Sequence, residues 1–268
     1  MLLSVDHVTR YRYDRPVRGV VQSHRLVPST FDGQRVRDWG VTVTDGLAGG
    51  AFRDGAGDRV QAWTVPGPVS EIEVRVTGTV ETVDLAGVLR GHRELVPAEV
   101  YLCDTLATQA DAALAALAAR ALGEDGPLAM AHRLSALVSD AIAYVPGTTT
   151  AKTTAAEALA QGQGVCQDQA QALIACARHV GTPARYVSGY LFASDGDAPE
   201  AAHAWAELFV AGLGWVGFDA ANRCCPDDKY IRLGSGFDAV DAAPIRGIAR
   251  GNGQEILDVE VAVRQVQQ

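Results

Sequence analysis

The hydrophobic period of this chain changes near Leu95–Tyr101, and that change limits the fold. Before it, polar and apolar residues alternate. Leu3, Val5, His7, Thr9, Tyr11 and Tyr13 share one parity against Ser4, Asp6, Val8, Arg10 and Arg12, a period of two in a β-rich composition. Pro16 interrupts this run, and Val17–Val27 is extended up to Pro28. Arg35–Thr44, Asp58–Val65 and Val69–Val83 read as further strands, with a Gly- and Asp-rich connection across Gly46–Gly57. Short strands separated by turns predict a small β-sandwich or open barrel. His7 and His24 fall in these strands with no second metal-binding residue at useful spacing, so they read as surface or core residues.

After the break the spacing is helical. Asp104–Leu122 carries Leu106, Leu114, Leu117 and Leu122, closed by Gly123. Pro127 suits a first helical turn, and the period continues to Pro146. Gly147–Thr150 is a polar loop. Thr154-Ala155-Ala156-Glu157 has capping-box spacing before a helix ending near Ala160. The fold class is therefore α+β, with a β-rich region over 1–98 and a mixed region over 99–268 that ends in a strand near Ile256–Val263. Asn222–Ala243 reads as turn-rich.

Within the mixed region, Gly162-Gln163-Gly164-Val165-Cys166 loosens the chain just before another helix. Ala170, Leu173, Ile174, Ala177 and Val180 give it one buried face, and Gly181 and Pro183 end it. Cys166 then sits in the first turn. Unpaired N–H groups and the helix dipole there favour a thiolate and suit the oxyanion of an acyl-transfer intermediate. Downstream, Ala184–Phe192 reads as a strand and Ser194–Asp197 as a turn. Ala202–Val210 and Trp215–Asp219 read as a hairpin. His203, Trp205, Glu207 and Phe209 share one face. A three-residue turn with a bulge makes His203 and Asp219 diagonal neighbours, whereas a regular four-residue turn separates them. Cysteine at a helix start, then histidine, then aspartate is what thiol acyl transfer needs: a nucleophile, a base and acid, and a group that orients the imidazole.

Gly-Val-Cys-Gln-Asp at 164–168, Pro-Ala-Arg-Tyr-Val-Ser-Gly-Tyr at 183–190, His-Ala-Trp-Ala-Glu at 203–207 and Gly-Trp-Val-Gly-Phe-Asp at 214–219 together resemble the bacterial transglutaminase-like proteins of the papain-like cysteine-enzyme superfamily. Tyr11–Val17 with Arg25–Pro28 resembles the N-terminal β-domain of that group, and Tyr230–Arg232 with Pro244–Gly247 resembles its tail. The resemblance implies a papain-like core with an N-terminal β-sandwich-like domain, with Cys166 as nucleophile, His203 as base and acid, and Asp219 as orienter. The sequence departs from the pattern at Gln169, where an aromatic is usual, at Gln171, where a histidine is common, and at Ala220, where a proline is usual. Gln167, Gln169, Trp205 and Trp215 are the candidates for the site wall or for substrate contact. Asp168 reads as a brace for the helix start, or as a partner of Arg185. Glu207 reads as an exposed strand residue.

The expected function is thiol-dependent acyl transfer on a peptide or protein amide through a thioester, with hydrolysis favoured over transamidation. The alternatives are a cross-linking enzyme and a catalytically silent binding module. A redox role needs a resolving thiol, and Cys176 lies roughly 15 Å along the helix from Cys166. A net charge of −9 argues against a nucleic-acid or anionic-membrane partner. Neither a secretory signal nor a membrane-spanning apolar run is read. The five cysteines are odd in number and irregularly spaced, which fits free thiols in the cytoplasm. No cofactor is expected. No metal site is expected at Cys224-Cys225, which lacks a Cys-x-x-Cys partner, and no EF-hand series is present.

Overall fold

The computed structural model describes residues 1–193 and 201–266, and the turn expected at Ser194–Asp197 lies outside them. Two long strands, β1 (Leu2–His24) and β4 (Arg59–Thr82), pair antiparallel along almost their whole length. Each contains the prolines that split it in the sequence reading. Pro16 lies where the register slips between Arg12 and Gly19, and Pro66 and Pro68 lie opposite that same bend. A proline costs no ladder bond where the ladder is already interrupted. Each strand therefore continues through its bend and serves two four-stranded halves.

In one half β1 and β4 are flanked by β2 (Gln34–Val43) and β12 (Glu255–Gln265); in the other, by β3 (Leu47–Arg53) and β11 (Ile245–Ala249). β3 falls in the stretch read as a connection. It is exposed throughout, so no burial pattern marks it, and its pairing with β4 makes it a strand. The end of the chain pairs with its beginning: Leu3 lies opposite Gln265 and His24 opposite Ile245. One core joins both halves through Leu3, Val17, Val20, Val65, Ile72 and Val80, and it also takes in Tyr190, Ile231 and Leu233 from the second sheet. His7 and His24 are buried there. His7 bonds Tyr190 and Thr9, His24 bonds Gln22, and burial holds both rings near 4, hence neutral.

The second sheet has the order β10-β7-β8-β9, with β7 at Ala184–Leu191, β8 at Ala202–Val210, β9 at Gly214–Phe218 and β10 at Tyr230–Gly236. β10 arises inside the segment read as turns, through its ladder with β7. Helices α1 (Ala112–Ala119), α2 (Pro127–Ala141) and α3 (Ala155–Gln161) surround α4 (Cys166–His179). Between them, β5 (Ala143–Tyr144) pairs with β6 (Gln163–Gly164). α1 is shorter than its apolar spacing suggested, because Asp111 caps it by accepting from the N–H groups of Ala113 and Leu114. α3 carries the Thr154–Glu157 capping box. No helix among the described residues is long and apolar enough to cross a membrane.

α4 differs most from its pattern. Rather than one face, all of Asp168–Arg178 is buried, between the other helices and β7 and β8. Its polar residues reach backbone carbonyls. Gln169 Nε2 donates to Ile142 O at 2.6 Å, Gln171 Nε2 donates to Thr153 O at 3.1 Å, and Arg178 donates to the carbonyls of Tyr101, Ala184 and Phe237. Hydrogen-bonded amides are tolerated in a core where free ones are costly.

The two sheets are locked by buried charge. Arg232 on β10 meets Asp58 at 2.6 Å and Glu207 on β8 at 2.8 Å, and Arg185 on β7 meets Glu207 and Glu94 at 2.7 Å each. Glu207 is thus not the exposed strand residue its alternation suggested: its face of β8 packs on the N-terminal region instead of facing water. Burial alone would raise its carboxyl, but the charges and hydrogen bonds of Arg232 and Arg185 outweigh this and hold it down to about 2. Glu207→Gln is expected to lower stability by about 1.5–3 kcal/mol in urea unfolding at pH 7, because Arg185 and Arg232 each lose one of two carboxylate partners and keep the other, Glu94 or Asp58. In the wild type the stability due to this carboxylate is complete above about pH 4.5 and is lost as pH falls through about 2. The variant should show a flatter acid limb across that window.

Candidate active site

The Cys166 turn is shaped by Asp168. Its Oδ2 folds back to accept from Val165 N at 2.8 Å and from Thr149 Oγ1 at 2.6 Å. A Cβ on Gly164 would stand 2.7 Å from that oxygen, which accounts for the glycine before Val165-Cys166. Asp168 is therefore a brace for the helix start and not a partner of Arg185, whose ion pairs go to Glu94 and Glu207. The N–H groups of Asp168 and Gln169 turn onto Val165 O. That leaves the first-turn N–H groups of Cys166 and Gln167 for a ligand.

The β8–β9 register runs from Ala206 opposite Phe218 to Val210 opposite Gly214, with Gly212 and Gly214 at positive φ. The turn is the three-residue one, so Asp219 falls opposite Trp205 and diagonal to His203. His203 Nε2 lies 2.7 Å from Asp219 Oδ2, and His203 and Cys166 line the same groove. With Nε2 on Asp219, Nδ1 is the ring nitrogen for the thiol. Asp219 Oδ2 accepts further from Asn222 Nδ2 at 2.7 Å and Tyr230 OH at 2.8 Å, and Asn222 N donates to Oδ1 at 3.2 Å. Burial disfavours a charged His203, but its bond to Asp219, the charge of Asp219 and the nearness of Cys166 outweigh this and raise it to about 10. Burial likewise works against a charged Asp219, yet the bond and charge of His203 leave its carboxyl below the usual range. Neither Asn222 nor Tyr230 was assigned to the site from sequence. Asn222 had a signal in its place three residues after Asp219, where an aspartate readily closes a turn. Tyr230 arrives from another strand and left no local signal.

Of the proposed wall residues, Gln167 lies beside Cys166 on an open groove of about 620 Å³, with Gly189, His203 and Ala204 across from it and 239–247 forming a further wall. Trp205 is behind the site. It stacks on His203 at 6.5 Å and meets Tyr230 edge-on at 5.6 Å, so it orients the imidazole and does not line the groove. Trp215 is elsewhere. It pairs with Phe209 near the turn end of the hairpin, packs with Ala56 and Tyr101, and lies under the Arg185 guanidinium at 4.0 Å. Gln169 is buried against Ile142 and is not a wall residue, because its side of α4 faces the helical scaffold. Gln171 and Ala220, the other departures from the family pattern, are buried too. Cys224 contacts the Tyr230 hydroxyl at 3.3 Å. Cys176 bonds the Leu114 carbonyl in the core, and burial pushes its thiol up to about 12.

Residues 114–220, which include Cys166, His203 and Asp219, match the transglutaminase-like superfamily, and residues 3–81 match the bacterial transglutaminase-like N-terminal region. An uncharacterised protein of Mycobacterium leprae is 30% identical over 97% of this chain and 98% of its own length. An uncharacterised protein of Mycobacterium tuberculosis is 39% identical over 134 residues, which span 45% of this chain and 42% of that protein. Among solved structures, a candidate cysteine protease of Cytophaga hutchinsonii superposes with a TM-score of 0.77 at 23% identity, over 100% of this chain and 92% of that one. The chain belongs to the transglutaminase-like superfamily, with the bacterial N-terminal region preceding the core.

In an NMR titration the His203 ring should hold its proton to about pH 10. Removing a neighbouring negative charge disfavours the imidazolium, so Asp219→Asn should lower that midpoint by about 1–3 units. The contribution of the raised imidazole to stability is complete below about pH 6.5 and is lost as the pH rises through about 10.

Proposed function

We propose that this protein is a thiol acyl-transfer enzyme acting on peptide or protein amides, with Cys166 as nucleophile, His203 as base and acid, and Asp219 as orienter. Membership of the transglutaminase-like superfamily supports a thiol-dependent enzyme. The observation that carries the finer reading is His203, held by Asp219 at 2.7 Å and lining one groove with Cys166 at the start of α4. In the proposed reaction the resting pair is thiolate and imidazolium, the proton already on His203, and Cys166 Sγ attacks the amide carbonyl carbon as the thiolate. The oxyanion is received by the Cys166 and Gln167 N–H groups. Collapse breaks the C–N bond as His203 protonates the departing amine, leaving a thioester. A water molecule, deprotonated by His203, then attacks that thioester and releases the acid and the thiol. Water is favoured over an amine as acceptor because the groove is open and walled largely by small apolar side chains, and nothing among its described lining residues selects an amine over solvent. All five cysteines are free thiols, which supports a reducing compartment and, in this reading, the cytoplasm.

The test is the intact mass of the protein after brief low-dose iodoacetamide between pH 5 and 9. At pH 6 an ordinary thiol of pKa about 8.5 is thiolate in only roughly one molecule in 300. A single adduct should form at that pH on the order of tenfold or more faster than on a free thiol. Cys166→Ala should abolish it and His203→Ala should slow it. Labelling at the free-thiol rate would count against an assembled triad and favour a binding module. Once labelling is established, peptide amides should give acids even with added alkylamine; predominant amine incorporation would reassign the protein as a transamidase.

A further inference from the structure

The outer wall of the Cys166 groove is an unpaired sheet edge. β11 hydrogen-bonds to β1 on one side only, and among the described residues no strand pairs with its other side. The register decides which groups face outward. Arg25 N donates to Pro244 O at 2.7 Å and Arg250 N donates to Gly19 O at 2.9 Å. In an antiparallel ladder these bonded pairs recur at every second residue. Pro244, Arg246, Ile248 and Arg250 therefore turn their backbone groups onto β1. Ile245, Gly247 and Ala249 turn theirs away from it, and Ile245 and Gly247 line the groove that holds Cys166 and His203.

This edge is held in place. Ile245 and Ala249 pack on the core of the N-terminal sheet. The chain leading into it is fixed by Ser188 Oγ donating to Ala242 O at 2.9 Å and Arg25 Nη1 donating to Asp241 O at 2.8 Å. Opposite it stand Gly189, Ala202 and Ala204, and beside it Ala242 and Ala243. Such side chains let a main chain come close and offer no deep pocket for a large side group.

We infer that β11 is the substrate-docking strand: an extended polypeptide segment adds to its free edge, bonded by the N–H and C=O groups of Ile245 and Gly247, and passes Cys166. This rests on the acyl-transfer reading and sharpens its substrate to extended polypeptide recognised through its main chain, with weak side-chain selectivity. The occupant follows from the edge itself. Uncharged donors and acceptors alternating at strand spacing match a peptide backbone, and the groove makes the edge continuous with the reactive thiol.

The experiment titrates ¹⁵N-labelled Cys166→Ala protein with an acetylated, amidated hexapeptide of alternating alanine and threonine, and repeats it with the same peptide N-methylated throughout. The Ile245 and Gly247 amide resonances should shift saturably with the first peptide. Removing the backbone N–H groups should weaken binding by at least about tenfold. Three results would overturn the inference: no saturable shift at millimolar peptide, shifts confined to other residues, or equal binding of the methylated peptide. Movement of the β11 resonances with protein concentration alone would overturn it as well, by giving the edge to a second copy of this chain. Iodoacetamide labelling of the wild type in parallel reads the thiol independently. An unreactive Cys166 with an occupied β11 edge would therefore fault the acyl-transfer reading and leave the docking strand standing.

Discussion

The architecture hangs on charge in a place that excludes water. Arg232, Glu207, Arg185 and Asp58 lie between the two sheets, and each sits at 3% exposure or less. An ion pair so buried stabilises little relative to an apolar contact, yet removing one member is costly. Its consequence here is geometric. Glu207 lies four residues after His203 on β8, with Trp205 between them on the same face, and Arg232 lies two residues after Tyr230 on β10. The cluster that joins the sheets thus fixes the same two strands whose ends hold the imidazole and the Asp219 carboxylate. Gln34 adds a second tie, exchanging bonds with the backbone N–H and C=O of Arg232.

From this lock outward, the site is assembled by layers of constraint. Tyr230 and Asn222 hold the Asp219 carboxylate, which orients His203, and Trp205 backs the ring. On the other side Asp168 ties the α4 start to the 145–152 loop through Thr149, which aims Cys166. The two halves of the candidate catalytic pair therefore ride on different layers, helix and sheet. Packing of α4 against β8 sets how far apart they stand.

Much of this was legible where local rules decide. The change of period, the Thr154–Glu157 box and the hairpin of β8 and β9 all depend on residues a few positions apart, while the choice between its two turns, which makes His203 and Asp219 diagonal neighbours, came only from the register. What could not be read depends on distant partners. β3, β10 and β11 are strands because β4, β7 and β1 lie beside them. Strand parity put Glu207 on one face without revealing that the face meets Asp58 and Arg232 and not water. Helical periodicity showed one apolar stripe on α4, while the opposite stripe is buried just as deeply with its amides bonded to Ile142 and Thr153. Trp215 reads from sequence as an aromatic wall on the strand of Asp219, although four residues of extended strand carry it to the far end of the hairpin.

The pairing of β1 with β11 and β12 has a consequence for biosynthesis. Leu3 finds its partner at Gln265, and the wall beside Cys166 is built from residues 239–247. During synthesis the helices around α4 and the hairpin with His203 emerge before that wall exists. A nascent chain that ends before residue 239 lacks one wall of the cleft. The cleft closes only when the last strands return to the first, a long-range and therefore slow contact. Topology in this way makes the return of β11 to β1 a condition for completion of the cleft.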